Sequence, residues 1–156
     1  MNVTRRLLLR GAGAGSALAA AIAAGVLKPT QVWAAEWNAA AFGAKDLGGA
    51  LKSAGISGEA DSKDVVLKAP DIAENGAVVP IEVESKIANT QKLSVFIEHN
   101  PTPLSASFEF MNGALPSVAV RVKMGKTSNI KVVAQADGKY YSASKEIKVT
   151  IGGCGG

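Results

Sequence analysis

The sequence predicts an all-β fold: an immunoglobulin-like β-sandwich of about seven strands, preceded by a helix and followed by a flexible Gly-Gly-Cys-Gly-Gly arm. Three observations carry this expectation. From Asp64 onward the apolar residues recur with a period of two, the spacing of a half-buried strand. Turn residues interrupt that alternation often enough to leave short strands at the spacing of a sandwich. Asp137-Gly138, set between two alternating runs, is the strongest hairpin signal in the chain. No repeat or low-complexity linker divides the stretch, so one domain is expected.

Residues 1–34 read as an export leader and stand outside any fold argument. Arg5 and Arg6 sit directly ahead of an apolar stretch that runs to about Val26 and is interrupted by Gly11, Gly13 and Gly15. Its length alone would permit a membrane helix, but the small-x-small ending at Val32-Trp33-Ala34 points to cleavage. The paired arginines point to the twin-arginine route, a bacterial address, and so to the periplasm. Cargo of that route crosses folded, often with a cofactor or a partner already in place. No cofactor motif follows, so a partner is expected.

Removing the leader changes the charge argument. It holds four of the 17 basic residues and no acid, leaving 13 bases against 13 acids. The basic character of the whole chain belongs to the leader, and it supports neither nucleic-acid nor polyanion binding.

Residues 35–151 form the expected domain. Residues 35–60 read as helix, with Trp37, Phe42, Leu47, Ala50 and Leu51 near helical spacing. Gly48-Gly49 weaken its middle, and Gly55 and Gly58 end it. Strands follow at Val65-Val66-Leu67, Gly76–Ser85, Lys92–Glu98, Ser105–Phe110, Ser117–Lys123, Asn129–Ala136 and Lys139–Ile151. Asn112-Gly113 closes the fourth. The last strand is expected to be anchored by packing as far as Ile151.

Residues 152–156, Gly152-Gly153-Cys154-Gly155-Gly156, hold the only cysteine of the sequence. Glycine has no Cβ, so ordering such a run costs the most backbone entropy. The stretch reads as a mobile arm that lets Cys154 travel roughly 10 Å from the last ordered residue. One thiol cannot close a bond within the chain, and a thiol exposed in an oxidising compartment implies an intermolecular bond or a reactive role. The ending is not C-a-a-X, which argues against a lipid anchor. An accidental free thiol is the bland alternative.

Catalytic chemistry is not in evidence. His99 is the only histidine and follows a strand at Asn100-Pro101, where a turn or surface role is the ordinary reading. One His and one Cys make no metal set, and no metal or other cofactor is expected. Glu82 and Glu84 alternate on one strand face, the pattern of a solvated face, and Asp71 and Glu74 read as turn residues. Nothing adjacent in sequence would act as a base for Cys154, whose thiol has an ordinary pKa near ~8.5. Activation would have to come from another protein's site.

The ending Val149-Thr150-Ile151-Gly152-Gly153-Cys154-Gly155-Gly156 resembles the terminal signature of SoxY, the sulfur-carrier family of bacterial thiosulfate oxidation. Ala73-Glu74-Asn75-Gly76-Ala77-Val78-Val79-Pro80, Asn100-Pro101-Thr102-Pro103-Leu104, Lys126-Thr127-Ser128 and Ala136-Asp137-Gly138-Lys139 are also similar to that family. The resemblance implies a non-catalytic carrier. Cys154 would be the point of attachment, and Gly152, Gly153, Gly155 and Gly156 the flexible flanks. It implies a c-type cytochrome that joins thiosulfate to Cys154 as a cysteine S-thiosulfonate. It further implies a metal-dependent thiosulfohydrolase that leaves a persulfide and, in organisms that have it, a molybdenum–haem dehydrogenase acting on the outer sulfur. A heterodimer with SoxZ, a second β-sandwich without a leader of its own, is implied too. Two other classes compete. A ubiquitin-like carrier would load sulfur on the Gly156 carboxyl, and an adhesion or subunit domain would make one permanent disulfide.

Overall fold

Alternation with a period of two gives each strand from Val65 onward one face for the core and one for solvent. The computed structural model describes residues 37–151, and in them that alternation builds two sheets. The elements are α1 (Ala39–Gly43), α2 (Leu47–Ser53), β1 (Ala60–Asp61), β2 (Val65–Lys68), β3 (Ile72–Ala73), β4 (Val79–Ser85), β5 (Thr90–Ile97), β6 (Leu104–Glu109), β7 (Ser117–Val122), β8 (Ser128–Ala136) and β9 (Lys139–Val149). The larger sheet has the order β1-β9-β8-β5-β6, with β3 also pairing β9, and the smaller has the order β2-β4-β7. The mostly-β, two-sheet expectation is met.

Ile81 and Val83 of β4 face Leu93, Val95 and Ile97 of β5 and Ile130, Val132 and Ala134 of β8 across one core. β4 alternates buried and exposed positions as a sheet with one wet face should. β5 does not: Leu93 through Ile97 are all buried. The reason lies on the sheet's other face, where Phe96, Leu104 and Val133 pack against Ala41, Ala50 and Ile56 from the helical segment. The described residues therefore form three layers, helices on the large sheet on the small sheet, and β5 is central to all of them.

The helical segment differs from the single helix expected over 35–60. It is two short helices, broken at Ala44–Asp46. Asp46 caps α2, its carboxylate accepting from the Gly49 N–H at 2.8 Å, a bond that offsets one orphan donor of the first turn. A Cβ on Gly49 would lie 3.1 Å from Asp46 Oδ2. Gly48-Gly49 thus make room for the cap that starts a second helix, where weakening of one long helix was expected. Asn38 caps α1 and also donates from Nδ2 to the Ser53 carbonyl at 2.8 Å, tying the start of one helix to the end of the next.

The β8–β9 hairpin is as expected. Asp137 and Gly138 both take positive φ, +49° and +73°, the requirement of a two-residue type I′ turn, and Ala136 pairs with Lys139 across it. Among the described residues nine strands replace the expected seven, the additions being β1 and β3 with two residues each. Both lie parallel along the free edge of β9. Two residues cannot display a period, so nothing in the pattern announces them.

Candidate functional site: the root of the C-terminal arm

β9 ends its ladder at Val149, two residues earlier than expected, yet the backbone stays tied down to Ile151. The Lys148 N–H donates to the Asp71 carbonyl at 3.0 Å, and the Thr150 N–H to the Ala73 carbonyl at 3.1 Å. The Thr150 hydroxyl donates to the Glu74 carbonyl at 3.1 Å. The Gly76 N–H then donates to the Ile151 carbonyl at 2.8 Å. The expected packing anchor fails at the last step, since Ile147 is fully buried but Ile151 is 64% exposed. Backbone hydrogen bonds, not apolar burial, hold the chain at its last described residue.

The segment that supplies these partners is itself fixed. Asn75 Oδ1 accepts from the Ala77 N–H at 2.8 Å, an Asx turn that shapes the loop. The Gly76 carbonyl accepts from the N–H of fully buried Met124 at 2.7 Å. Lys145 donates to the Ala69 carbonyl and pairs with Asp71 Oδ1 at 2.9 Å. The Lys145 ammonium beside it holds the Asp71 carboxyl below its ordinary range. Asp71 is thus more than a turn residue, while Glu74 takes part through its carbonyl.

The other edge of β9 is held from the β7–β8 connection. The Val149 N–H donates to Thr127 Oγ1 at 3.0 Å. His99, exposed in the turn after β5, lies next to it: its Nδ1 is 3.0 Å from the Thr127 carbonyl, and its N–H donates to Ser128 Oγ at 3.0 Å. A carbonyl can only accept, so Nδ1 is the donor in this contact. Asn100 donates from Nδ2 to the Lys123 carbonyl at 2.7 Å and accepts from the Gly125 N–H at 3.1 Å.

Three of the four internal stretches that resemble the SoxY family therefore meet at one pole of the sandwich. Asn75-Gly76 and Thr127-Ser128 converge on the end of β9, and Asn100 braces the β7–β8 connection that supplies Thr127. The fourth, Asp137-Gly138, turns the chain at the far end of that eleven-residue strand, about 35 Å away at roughly 3.3 Å per residue.

Cys154, Gly152, Gly153, Gly155 and Gly156 lie outside the described residues, as do Arg5 and Arg6 of the leader. Ile151, the last described residue, is three positions before Cys154 in the sequence. Glu82 and Glu84 point outward on β4, and Glu82 pairs with Lys68 at 3.1 Å as a solvated face does. Among the described residues no group of three or more His, Cys, Asp or Glu could hold a metal ion. None of the described helices is long and apolar enough to cross a membrane. Sequence reasoning missed Thr127, Thr150 and Gly76 as the residues that hold the root. The signal was present only as scattered short stretches, because their partners are 22 to 76 positions apart.

Fold and root together define a β-sandwich domain whose described chain ends, at Ile151, at one pole. A family profile described as sulfur oxidation protein SoxY matches residues 52–154. The solved structure of the sulfur carrier protein SoxY from Chlorobium limicola f thiosulfatophilum is 40% identical, with a TM-score of 0.56, covering 72% of this chain and 92% of that one. A human F-spondin reeler domain shares 9% identity at a TM-score of 0.40, covering 60% of this chain and 93% of that one, a likeness too low to bear on the argument. No curated protein matches. The chain belongs to the SoxY family of sulfur carrier proteins.

Proposed function

We propose that this chain is a periplasmic, non-catalytic carrier that binds thiosulfate-derived sulfur covalently on Cys154 and presents it to successive enzymes. The observation that carries the reading is the extent of the family match, which runs from residue 52 to Cys154 itself. The clamped root supports it. A body held to Ile151 by Gly76 and Thr150 gives the five residues beyond a fixed origin, and their glycines leave no side chain to obstruct a narrow channel.

The chemistry follows from one exposed thiol. Cys154–SH and thiosulfate give Cys154–S–S–SO3⁻, one proton and two electrons, which pass to a c-type cytochrome partner. Water then cleaves the terminal group at a metal-dependent hydrolase. Cys154–S–SH remains and hydrogen sulfate leaves, so no further oxidant is needed at that step. A molybdenum–haem dehydrogenase, where present, oxidises the outer sulfur. Persulfides and mixed disulfides are ordinary reversible states of such a thiol. A SoxZ-like β-sandwich is the proposed stable partner, exported with this chain through the twin-arginine route that Arg5 and Arg6 address.

The test is thiosulfate-dependent cytochrome reduction in a reconstituted system. Cys154→Ala is expected to abolish turnover while fold and partner binding persist. Turnover retained in that variant would place the sulfur elsewhere, and the Gly156 carboxyl would be the next site to examine.

A further inference from the structure

The two sheets are open to one side. β6 ends the large sheet and β7 ends the small one, and the chain crosses between them through Met111 and Leu115, which are 62% and 83% exposed. Between these edges runs a groove of mixed lining, apolar at Phe42, Phe108 and Val120 and polar at Thr102, Arg121 and Lys123. Trp37 stacks on Phe42 with ring centroids 4.1 Å apart, yet Trp37 remains 67% exposed. Phe108 and Val120 belong to the core between the sheets but are only partly buried. The core is incomplete on this side.

The β7 edge lacks two of the usual devices that protect an open strand, and the charges it does carry, Arg121 and the following Lys123, are of one sign. It is six residues long with regular alternation, and it holds no proline and no bulge. Arg121 and the following Lys123 lie on its solvent side, exposed, and neither pairs with an acid among the described residues. A free backbone edge, a half-open groove with apolar side chains along its floor strands, and two uncompensated cations at alternate positions together describe what would fill the site.

We propose that the β7 edge, with the groove it shares with β6, docks an extended strand of a different protein chain that carries carboxylates opposite Arg121 and Lys123. Backbone donors and acceptors would extend the β2-β4-β7 sheet by one strand, and the partner's inward apolar residues would cover Phe108 and Val120. Charge favours a different chain over a second copy. β7 has no acid of its own, and the one acid of β6, Glu109, is bound to Lys92 at 3.4 Å. Edge-to-edge pairing of two copies through these strands would add cation to cation.

The choice of probe rests on the carrier reading: it is the β-sandwich partner subunit proposed above, purified and mixed with this protein. Amide hydrogen exchange and binding affinity are measured together, with thermal unfolding as the control for folding. The proposal expects amides of residues 117–122 to slow about tenfold or more in the complex, with those of 65–68 at the opposite edge unchanged. It also expects the double variant Arg121→Glu, Lys123→Glu to weaken binding about tenfold or more. A complex that leaves β7 exchange unaltered, or that tolerates the double variant, overturns the docking site and leaves the carrier reading intact. Absence of any complex overturns the partner reading and this proposal with it. Protection of β7 in the isolated protein, together with sedimentation as a dimer, would make the occupant a second copy and overturn the assignment to a different chain.

Discussion

The Gly76 N–H donates to the Ile151 carbonyl at 2.8 Å, while the Gly76 carbonyl accepts from Met124 at 2.7 Å. One residue thus connects the last described position of the chain to a fully buried side chain's backbone in the β7–β8 connection. This is why the sandwich can hold a chain end whose own side chain, Ile151, is mostly in water. The Gly76 amide is expected to exchange with solvent slowly, in step with β9. Exchange at the rate of a free loop amide would mean the chain is released before Ile151.

Thr127→Val keeps the shape of the side chain and removes the acceptor for the Val149 N–H. A half-buried donor left without a partner costs about 1–3 kcal/mol. The variant should unfold at lower urea concentration with an unchanged slope, and the Val149 amide should exchange faster. Full retention of stability would show that Val149 needs no side-chain partner.

Phe96 is fully buried where the helical layer meets the large sheet. Phe96→Ala is expected to cost about 3–5 kcal/mol, against well under 1 kcal/mol for Glu82→Ala on the exposed face, whose ion pair is solvated. Equal midpoints of chemical unfolding for the two would contradict the three-layer packing.

Glu59 meets Lys131 at 2.7 Å, with side chains 18% and 22% exposed. The Lys131 ammonium, chiefly through its hydrogen bond, holds the Glu59 carboxyl below its ordinary 4.5. The folded value lies below the unfolded one, so the pair's contribution is complete above about pH 4.5 and fades as pH falls through the folded value. Glu59→Gln should flatten the acid side of the stability profile and leave its shape above pH 5 unaltered. A profile unchanged below pH 4.5 would mean the pair contributes nothing to folding.

Bulky replacements at Gly153 or Gly155 should leave unfolding within about 0.5 kcal/mol of the parent, as surface changes usually do. They should nevertheless lower turnover with the partner enzymes. Normal turnover would restrict the glycines to supplying slack.

The strands were legible because the interior of a sandwich imposes alternation, and the β8–β9 hairpin because only residues such as Asp137 and Gly138 accept positive φ cheaply. The helical split was less so, since Asp46 acts as a cap only once Gly49 is close enough to bond it. β1 and β3 were illegible: two-residue strands are chosen by the edge they meet, not by their own pattern. The root was half legible. Thr127 and Gly76 stood in stretches resembling the family, but their partnership with Val149 and Ile151 exists only after the loops converge.

The central claim is that Cys154 carries sulfur covalently. Intact mass of the protein from thiosulfate-grown cells, taken before and after reductant and mapped to the terminal peptide, tests it directly. The account predicts sulfur or thiosulfate-sized additions on Cys154 that reductant removes. A single unmodified species, or one permanently disulfide-linked to another chain, would contradict it.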